Sequence, residues 1–334
     1  MRKSMKIKAT ITPLLSALLA AGCLSAQAAD SIHLDAYQVV GTYGLDILNG
    51  TSGGISGLEA SAVAYARDRG TLFFVGDEGT GVVEISLTGQ TLGHMDFDWN
   101  NTGSTKHDTE GLTYLGGGTL VVSEERLYDA YRFDYVDGGS AALASASVSI
   151  SNANVGNDGL EGMSYDPRDG SFVSIKQDKP EEVLAGVLNF GPNGGGSSTM
   201  SPRFDPSLLG LATLSDVQTL SPVDALANTV LADHLLVLSL GSHRLVETDR
   251  QGQVVSSFDL SNILPHNAIE GVTVDEKGTI YLVAEQIQDG SNLPGDLNPK
   301  SQLIVLAAPV PEPATTALWL AGLGLLGVAL RRRD

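Results

Sequence analysis

The amino-acid sequence predicts an all-β fold, a five-bladed β-propeller, from a repeat, a missing periodicity and a composition. The repeat is an acid-led apolar phrase, clearest as Asp108-Thr109-Glu110-Gly111-Leu112-Thr113-Tyr114, Gly159-Leu160-Glu161-Gly162-Met163-Ser164-Tyr165 and Ala268-Ile269-Glu270-Gly271-Val272-Thr273-Val274. Looser copies begin at Gly57-Leu58-Glu59 and Leu214-Ser215-Asp216, so the lead acids Glu59, Glu110, Glu161, Asp216 and Glu270 stand 51, 51, 55 and 54 residues apart. A period near fifty with several short apolar runs per unit is that of a propeller blade rather than a helical solenoid. No stretch of residues 30–308 keeps a helical period over three turns. Thirty-nine glycines and thirteen prolines with 6% aromatics supply the turns that many short strands need.

In chain order, residues 1–28 combine a basic start, an apolar run from Ile11 to Leu24 and the small-x-small site Ala26-Gln27-Ala28, which together read as a Sec signal peptide. Cys23 is the single cysteine, and Ala20 stands where a lipoprotein acylation site usually has Leu. Cleavage after Ala28 leaves no cysteine, so the exported chain is held by its core, by strand closure or by a metal. The propeller domain spans 29–308. Its first unit reads as strands Ala60–Tyr65, Thr71–Gly76, Gly81–Leu87 and Thr91–Asp96, split by turns at Arg67-Asp68-Arg69-Gly70 and Thr88-Gly89. The second reads as Glu110–Leu115, Thr119–Ser123, Ala130–Tyr135 and Ala144–Ile150. Pro206–Thr213 and Asp224–Leu231 read as short helices or loops, and 191–205 and 287–300 as surface insertions. The fifth unit offers only Glu270–Val274, Thr279–Val283 and Gln302–Leu306, so Ala36–Thr42 at the N-terminal end is expected to add its outer strand and close the ring, leaving no open edge.

Beyond the domain, Val310-Pro311-Glu312-Pro313 precedes seventeen uncharged residues, Ala314–Leu330, and then Arg331-Arg332-Arg333-Asp334. This tail, 309–334, resembles the PEP-CTERM sorting signal. The resemblance implies export in a Gram-negative bacterium, a transient inner-membrane anchor through 314–330, processing by an exosortase, and delivery to the cell surface or matrix, often alongside exopolysaccharide. At 1.5 Å per residue such a segment falls just short of a roughly 30 Å bilayer core, which suits a weak anchor. Without residues 1–28 and Arg331-Arg332-Arg333-Asp334, 13 basic residues face 38 acidic ones, a net charge of −25. That balance argues against nucleic acid and for cations as partners.

The motif order over 35–307 is similar to the SdiA-regulated family. The likeness rests on Glu110-Gly111-Leu112 with Ser123-Glu124-Glu125, Glu161-Gly162-Met163 with Lys176-Gln177-Asp178, and Glu270-Gly271-Val272 with Ala284-Glu285-Gln286. The fourth unit departs from it, with Asp216-Val217-Gln218 in place of Glu-Gly and Leu240-Gly241-Ser242-His243 at the second polar position. The resemblance implies a five-bladed propeller and a calcium site, and fixes no reaction.

If each lead acid holds the same place on its innermost strand, ring closure gathers Glu59, Glu110, Glu161, Asp216 and Glu270 about one axis. Such like charges either take up protons or hold a cation. Calcium, with six to eight oxygen ligands and tolerant geometry, suits them better than zinc. The second polar positions, Asp77, Glu78, Glu124, Glu125, Gln177 and Glu285, are expected at the same mouth. The competing reading is that the lead acids accept hydrogen bonds from backbone amides of neighbouring blades. Two functions follow. One is a non-enzymatic, calcium-binding propeller whose loops bind an extracellular polymer or surface protein. The other is a metal-dependent hydrolase of esters, lactones or phosphoesters, with Glu110, Glu161 and Glu270 on the metal and Glu124 or His107 as base. Gly50-Thr51-Ser52-Gly53-Gly54 matches a nucleophile-elbow string but sits in a Gly-rich loop with no helix behind it. The acidic loop Asp289–Asp296 lacks the twelfth-position Glu of an EF-hand.

Overall fold

The strand Thr71–Gly76 is apolar on both faces because both are buried: Leu72 and Phe74 join one interior cluster, while Phe73 and Val75 join another. A strand whose side chains alternate in direction and are all apolar must lie between two layers. Thr119–Glu124 repeats this, with Leu120 and Val122 packed on one side and Val121 on the other. Five such apolar clusters occur, one at each junction between consecutive blades. The computed structural model describes residues 30–45, 59–77, 79–151, 156, 158–177, 179–287 and 300–309, and these form a five-bladed β-propeller.

Blade 1 is Ala60–Ala66, Thr71–Gly76, Gly81–Ile85 and Thr91–Asp98, extended by Ser140–Ala142, which pairs in parallel with Thr91–Asp98. Blade 2 is Thr109–Gly116, Thr119–Glu124, Asp129–Asp134 and Ser147–Ser149. Blade 3 is Leu160–Asp166, Ser171–Lys176, Glu182–Gly186 and Ser201–Phe204. Blade 4 is Asp216–Thr219, Leu235–Ser239, Arg244–Thr248 and Val254–Asp259. Blade 5 takes Asn267–Val274, Ile280–Ile287 and Gln302–Ala307 from the end of the chain and Gln38–Gly44 from its beginning. The outer strand from the N-terminal side is therefore as expected, two residues further along than Ala36–Thr42. The segment before it also grips blade 4: Ser31 Oγ and Ile32 N–H donate to Glu247 Oε2 at 2.6 and 3.0 Å, and Leu34 is fully buried between blades 4 and 5.

Described helical structure is confined to 3-10 turns of three or four residues, including Pro206–Leu209 and Asp224–Leu226, in the two stretches expected to hold short helices or loops. The expectation that 191–205 is a surface insertion needs correction, since Ser201–Phe204 is the outer strand of blade 3. It is mostly exposed on the edge and carries Pro202, so neither alternation nor apolarity marks it. Residues 1–28, the loop at Gly50–Gly54, Glu78, Asp289–Asp296 and the tail from 310, with its expected membrane segment 314–330, lie outside the described residues. Among the described residues no helix is long and apolar enough to cross a membrane.

The first strands of the blades ring the axis and are tied together by short polar side chains. Thr109 Oγ1 donates to Gly76 O, Tyr165 N–H to Thr113 Oγ1 and Thr219 N–H to Ser164 Oγ, at 2.5, 2.9 and 2.9 Å. Thr273 Oγ1 donates to Gln218 Oε1 and accepts from Tyr65 N–H, both at 3.1 Å. Every junction thus has a side-chain bond close to the axis, where strands approach too closely for larger groups.

A candidate metal centre at one mouth of the ring

Glu110 stands outside the regular pairing of its strand. Thr109 pairs with Glu124 and Gly111 with Ser123, so Glu110 is the extra residue of a β-bulge. Glu270 is the extra residue between the pairs Ile269–Ala284 and Gly271–Val283, and Glu161 lies in the bulge between Leu160–Lys176 and Met163–Ser174. A bulge turns a side chain out of the alternation that would bury it between blades, and here it sends three carboxyls toward the axis. The glycine after each acid has a steric cause. A Cβ on Gly162 would collide with Asp216 Oδ1 and lie 2.6 Å from Val217 N, and one on Gly111 would lie 2.5 Å from Glu161 O.

The other two lead acids hold different places. In blade 1 the bulge falls between Ala60 and Ala62, so the residue equivalent to Glu110 is Ser61, and Glu59 corresponds to Asp108. In blade 4 Asp216 and Val217 pair in register with Leu238 and Val237, with no bulge at all. Asp216 Oδ1 accepts from Val217 N–H and Oδ2 from Val272 N–H, each at 2.7 Å. Asp216 therefore bridges backbones of blades 4 and 5, while Glu59 remains close enough to raise the carboxyls of Glu270 and Glu285.

Around the bulge acids the structure assembles Asp77, Asp108, Glu125 and Glu285. Carboxylate oxygens of Asp77, Asp108 and Glu110 lie within 4.8 Å of one another. Burial, followed by repulsion from Glu161, Glu270, Asp77 and Asp108, pushes the Glu110 carboxyl well above its ordinary range. Burial and the charges of Glu125 and Glu270 do the same to Glu161. Burial raises Glu270, and burial with the Glu270 charge raises Glu285, so this contiguous pair favours a shared proton over two charges. With Glu59, eight carboxyls crowd this mouth. Arg126 offsets part of the charge, its Nε lying 2.5 Å from Asp108 Oδ2.

Asp77, Glu125 and Glu285 occupy the second polar positions read from the sequence. Asp108, the first residue of the repeat phrase in blade 2, joins them. Glu124 faces another way, accepting from Ser104 Oγ and Leu127 N–H, each at 2.7 Å. The His107 ring is stacked on Trp99 at 4.8 Å between centroids and 9° between planes.

The donor set is all oxygen, anionic and drawn from blades 1, 2, 3 and 5, which fits calcium and offers no imidazole or thiolate for zinc. Asp77, Asp108 and Glu110 would form its nearest shell, with Glu161 and Glu270 close behind.

The fold and this mouth define a closed propeller with an acidic bulge residue at the axial start of three of its blades. The profile of the SdiA-regulated family matches residues 35–286, and the chain belongs to that family. The PEP-CTERM protein-sorting motif matches 309–333, which marks an exported protein sorted to the surface and accords with processing by an exosortase. Among solved structures, the glutaminyl cyclase of Myxococcus xanthus is similar at 13% identity over 82% of this chain and 97% of its own, with a TM-score of 0.50. A luciferin-regenerating enzyme is similar at 11% identity over 80% of this chain and 95% of its own, TM-score 0.46. The β-propeller domain of Cps50 (Swd1) from Myceliophteria thermophila is similar at 15% over 78% and 71%, TM-score 0.38. At such identities the likeness to the cyclase is one of fold.

Proposed function

We propose that this protein is a calcium-binding, non-enzymatic propeller that works at the cell surface or in the extracellular matrix by binding a polymer or another surface protein through its loops. The reading is carried by the three carboxylates of Asp77, Asp108 and Glu110, whose oxygens lie within 4.8 Å of one another amid five further acids. When bound, calcium would supply charge neutralisation and a common ligand for strands of blades 1, 2, 3 and 5. The chain's own residues do the rest: bulges aim the carboxyls, glycines let neighbouring strands close behind them, and Asp216 fixes the one blade that sends no acid inward. The binding reading is supported over the hydrolytic one in that the two side chains expected as its base, His107 and Glu124, are held elsewhere, by Trp99 and by Ser104 and Leu127. A signal peptide over 1–28, the Sec route and a transient anchor over 314–330 belong to the same proposal.

The test is thermal melting of the metal-free secreted chain with and without calcium or magnesium. Calcium at one hundred times its dissociation constant adds about 2.7 kcal/mol and raises the melting temperature by several degrees. No calcium-selective rise removes the metal from the proposal. A reproducible esterase, lactonase or phosphatase rate that vanishes in Glu161→Gln under saturating calcium replaces the binding reading with the hydrolytic one.

A further inference from the structure

The innermost strands carry their acids at one end and their tyrosines at the other. Tyr114 stands four positions after Glu110 and Tyr165 four positions after Glu161, about 13 Å along a strand at roughly 3.3 Å per residue. Tyr65 of blade 1 stands at the equivalent position, so three successive blades place a phenol at the mouth opposite the carboxyl cluster. There the ring opens into a cavity of about 510 Å3, well within the range of small-molecule sites.

Each phenol is backed by a second aromatic ring. Tyr65 stacks on Tyr281 at 6.3 Å and Tyr114 on Phe73 at 5.9 Å, while Tyr165 leans on Phe172 at 5.2 Å. Leu115, Pro167, Pro222 and Val274 complete an apolar wall. The charges on the lining do not balance. Arg67 is consumed by Asp224, through two 2.8 Å hydrogen bonds that reach from blade 1 to the loop after the first strand of blade 4. Asp68 and Glu276 remain. Asp68 is held ionised by Tyr114 and the Gly117 amide against the pull of burial, and Tyr65 keeps the Glu276 carboxyl low. The Tyr65 hydroxyl hydrogen-bonds this carboxyl, whose Oε2 is shielded from solvent. Lys277 approaches Glu276 Oε1 only at 3.6 Å, from a side chain 79% exposed.

We propose that this mouth binds a small organic cation, an amine or quaternary ammonium group with an apolar body, seated among Tyr65, Tyr114 and Tyr165 and neutralised by Asp68 and Glu276. Aromatic faces attract such cations through the ring quadrupole, and the attraction grows as water is excluded. A strongly hydrated metal ion would gain little from the apolar wall, and an anion would meet two lining carboxylates against one lining cation, Arg67, which Asp224 already engages.

The experiment is calorimetric titration of the folded protein in saturating calcium, which occupies the acidic mouth, with choline, tetramethylammonium and butylamine. Each is compared with the neutral isostere of choline in which carbon replaces nitrogen, and with glucose. The expected result is saturable binding of at least one cation, about tenfold or more tighter than the isostere, and weakened about fivefold or more by Glu276→Gln and by Asp68→Asn. Melting temperatures of both variants confirm that they fold, and Tyr165→Ala provides an independent loss of the aromatic wall. The proposal is overturned if none of the three cations binds at about 10 mM, if the isostere or glucose binds as tightly, or if cation binding survives both carboxylate substitutions.

Discussion

Replacing Glu110 by Gln should make the metal-free protein more stable, and increasingly so as pH rises. At a separation of 4.8 Å and an effective dielectric near 20, each neighbouring carboxylate repels Glu110 by about 3 kcal/mol. Two such neighbours cost more than taking up a proton, so protonation caps the penalty. In the limiting case of a carboxyl still neutral at pH 8, the loss of folding stability relative to the ordinary value of 4.5 would be at most about 5 kcal/mol. The sign follows from linkage. The folded carboxyl is raised, so its contribution is fully present below the unfolded value and is lost as pH climbs toward the folded one. The wild-type apo protein should therefore weaken from about pH 5 upward, through the windows of Glu270, raised to about 7, and Glu285, raised to about 9. For a domain of this size 1 kcal/mol is about 2 °C, so Glu110→Gln should melt up to about 10 °C above wild type at pH 8 and close to it at pH 4.5. In calcium the order reverses, because the variant has lost a ligand. Differential scanning calorimetry of both proteins across pH 4.5–8.5, with chelator and then with calcium, reads all four limbs. A variant that melts lower than wild type in chelator at pH 8 while keeping the full calcium response would show that Glu110 is a structural acceptor of the Asp216 kind, and the repulsion argument would fail.

Asp216→Asn should behave in the opposite way. It destabilises by about 2–4 kcal/mol, since an amide nitrogen would face one of the backbone N–H groups of Val217 and Val272. The calcium-induced shift in melting temperature should nevertheless be unchanged. Gly162→Ala should cost about 3 kcal/mol or more, because the added methyl meets Asp216 and the backbone of Val217 with no room to yield; loss of soluble protein or a melting temperature at least about 6 °C lower checks it. Deleting residues 30–44 removes the outer strand of blade 5 and the bonds from Ser31 and Ile32 to Glu247. It should give a species that aggregates through the exposed Gln302–Ala307 edge, read by light scattering and by loss of cooperative melting.

Blade number and closure were legible because the propeller is a repeat: strands buried on both faces are apolar throughout, and a three-stranded remainder at one end needs a partner from the other. The register within each innermost strand was not. A bulge adds one residue without changing composition, so aligning Glu59 and Asp216 with Glu110 satisfied the spacing while missing that Ser61 is the bulge residue of blade 1 and that blade 4 has none. Glycine was the one available signal. It follows Glu110, Glu161 and Glu270 but neither Glu59 nor Asp216, and the structure shows why, since it marks where the next blade's backbone presses on the bulge. Ser201–Phe204 escaped notice for the converse reason: an outer strand exposed to water has no pattern to leave. The tyrosines at the far mouth were visible as the ends of the repeats, but only ring closure brings Tyr65, Tyr114 and Tyr165 to one cavity.

Two devices hold this ring shut, and they act in different places. The apolar clusters seal the flanks of the blades, and the N-terminal segment locks blade 5 from outside while grasping blade 4 through Glu247. Neither relieves the axis, where Glu110, Glu161 and Glu270 are forced together by the same bulges that let the blades meet. With a single cysteine, Cys23, the chain has no internal disulfide to compensate. A cation bound at that mouth would stabilise the closed ring by mass action and leave the unfolded chain untouched. Because its ligands come from nonconsecutive parts of the chain, its contribution would also fall on long-range contacts, whose loop-closure cost is the largest. On the proposal that it binds calcium, the acid cluster would be a cost in metal-free surroundings and a clasp wherever an exported propeller meets the ion.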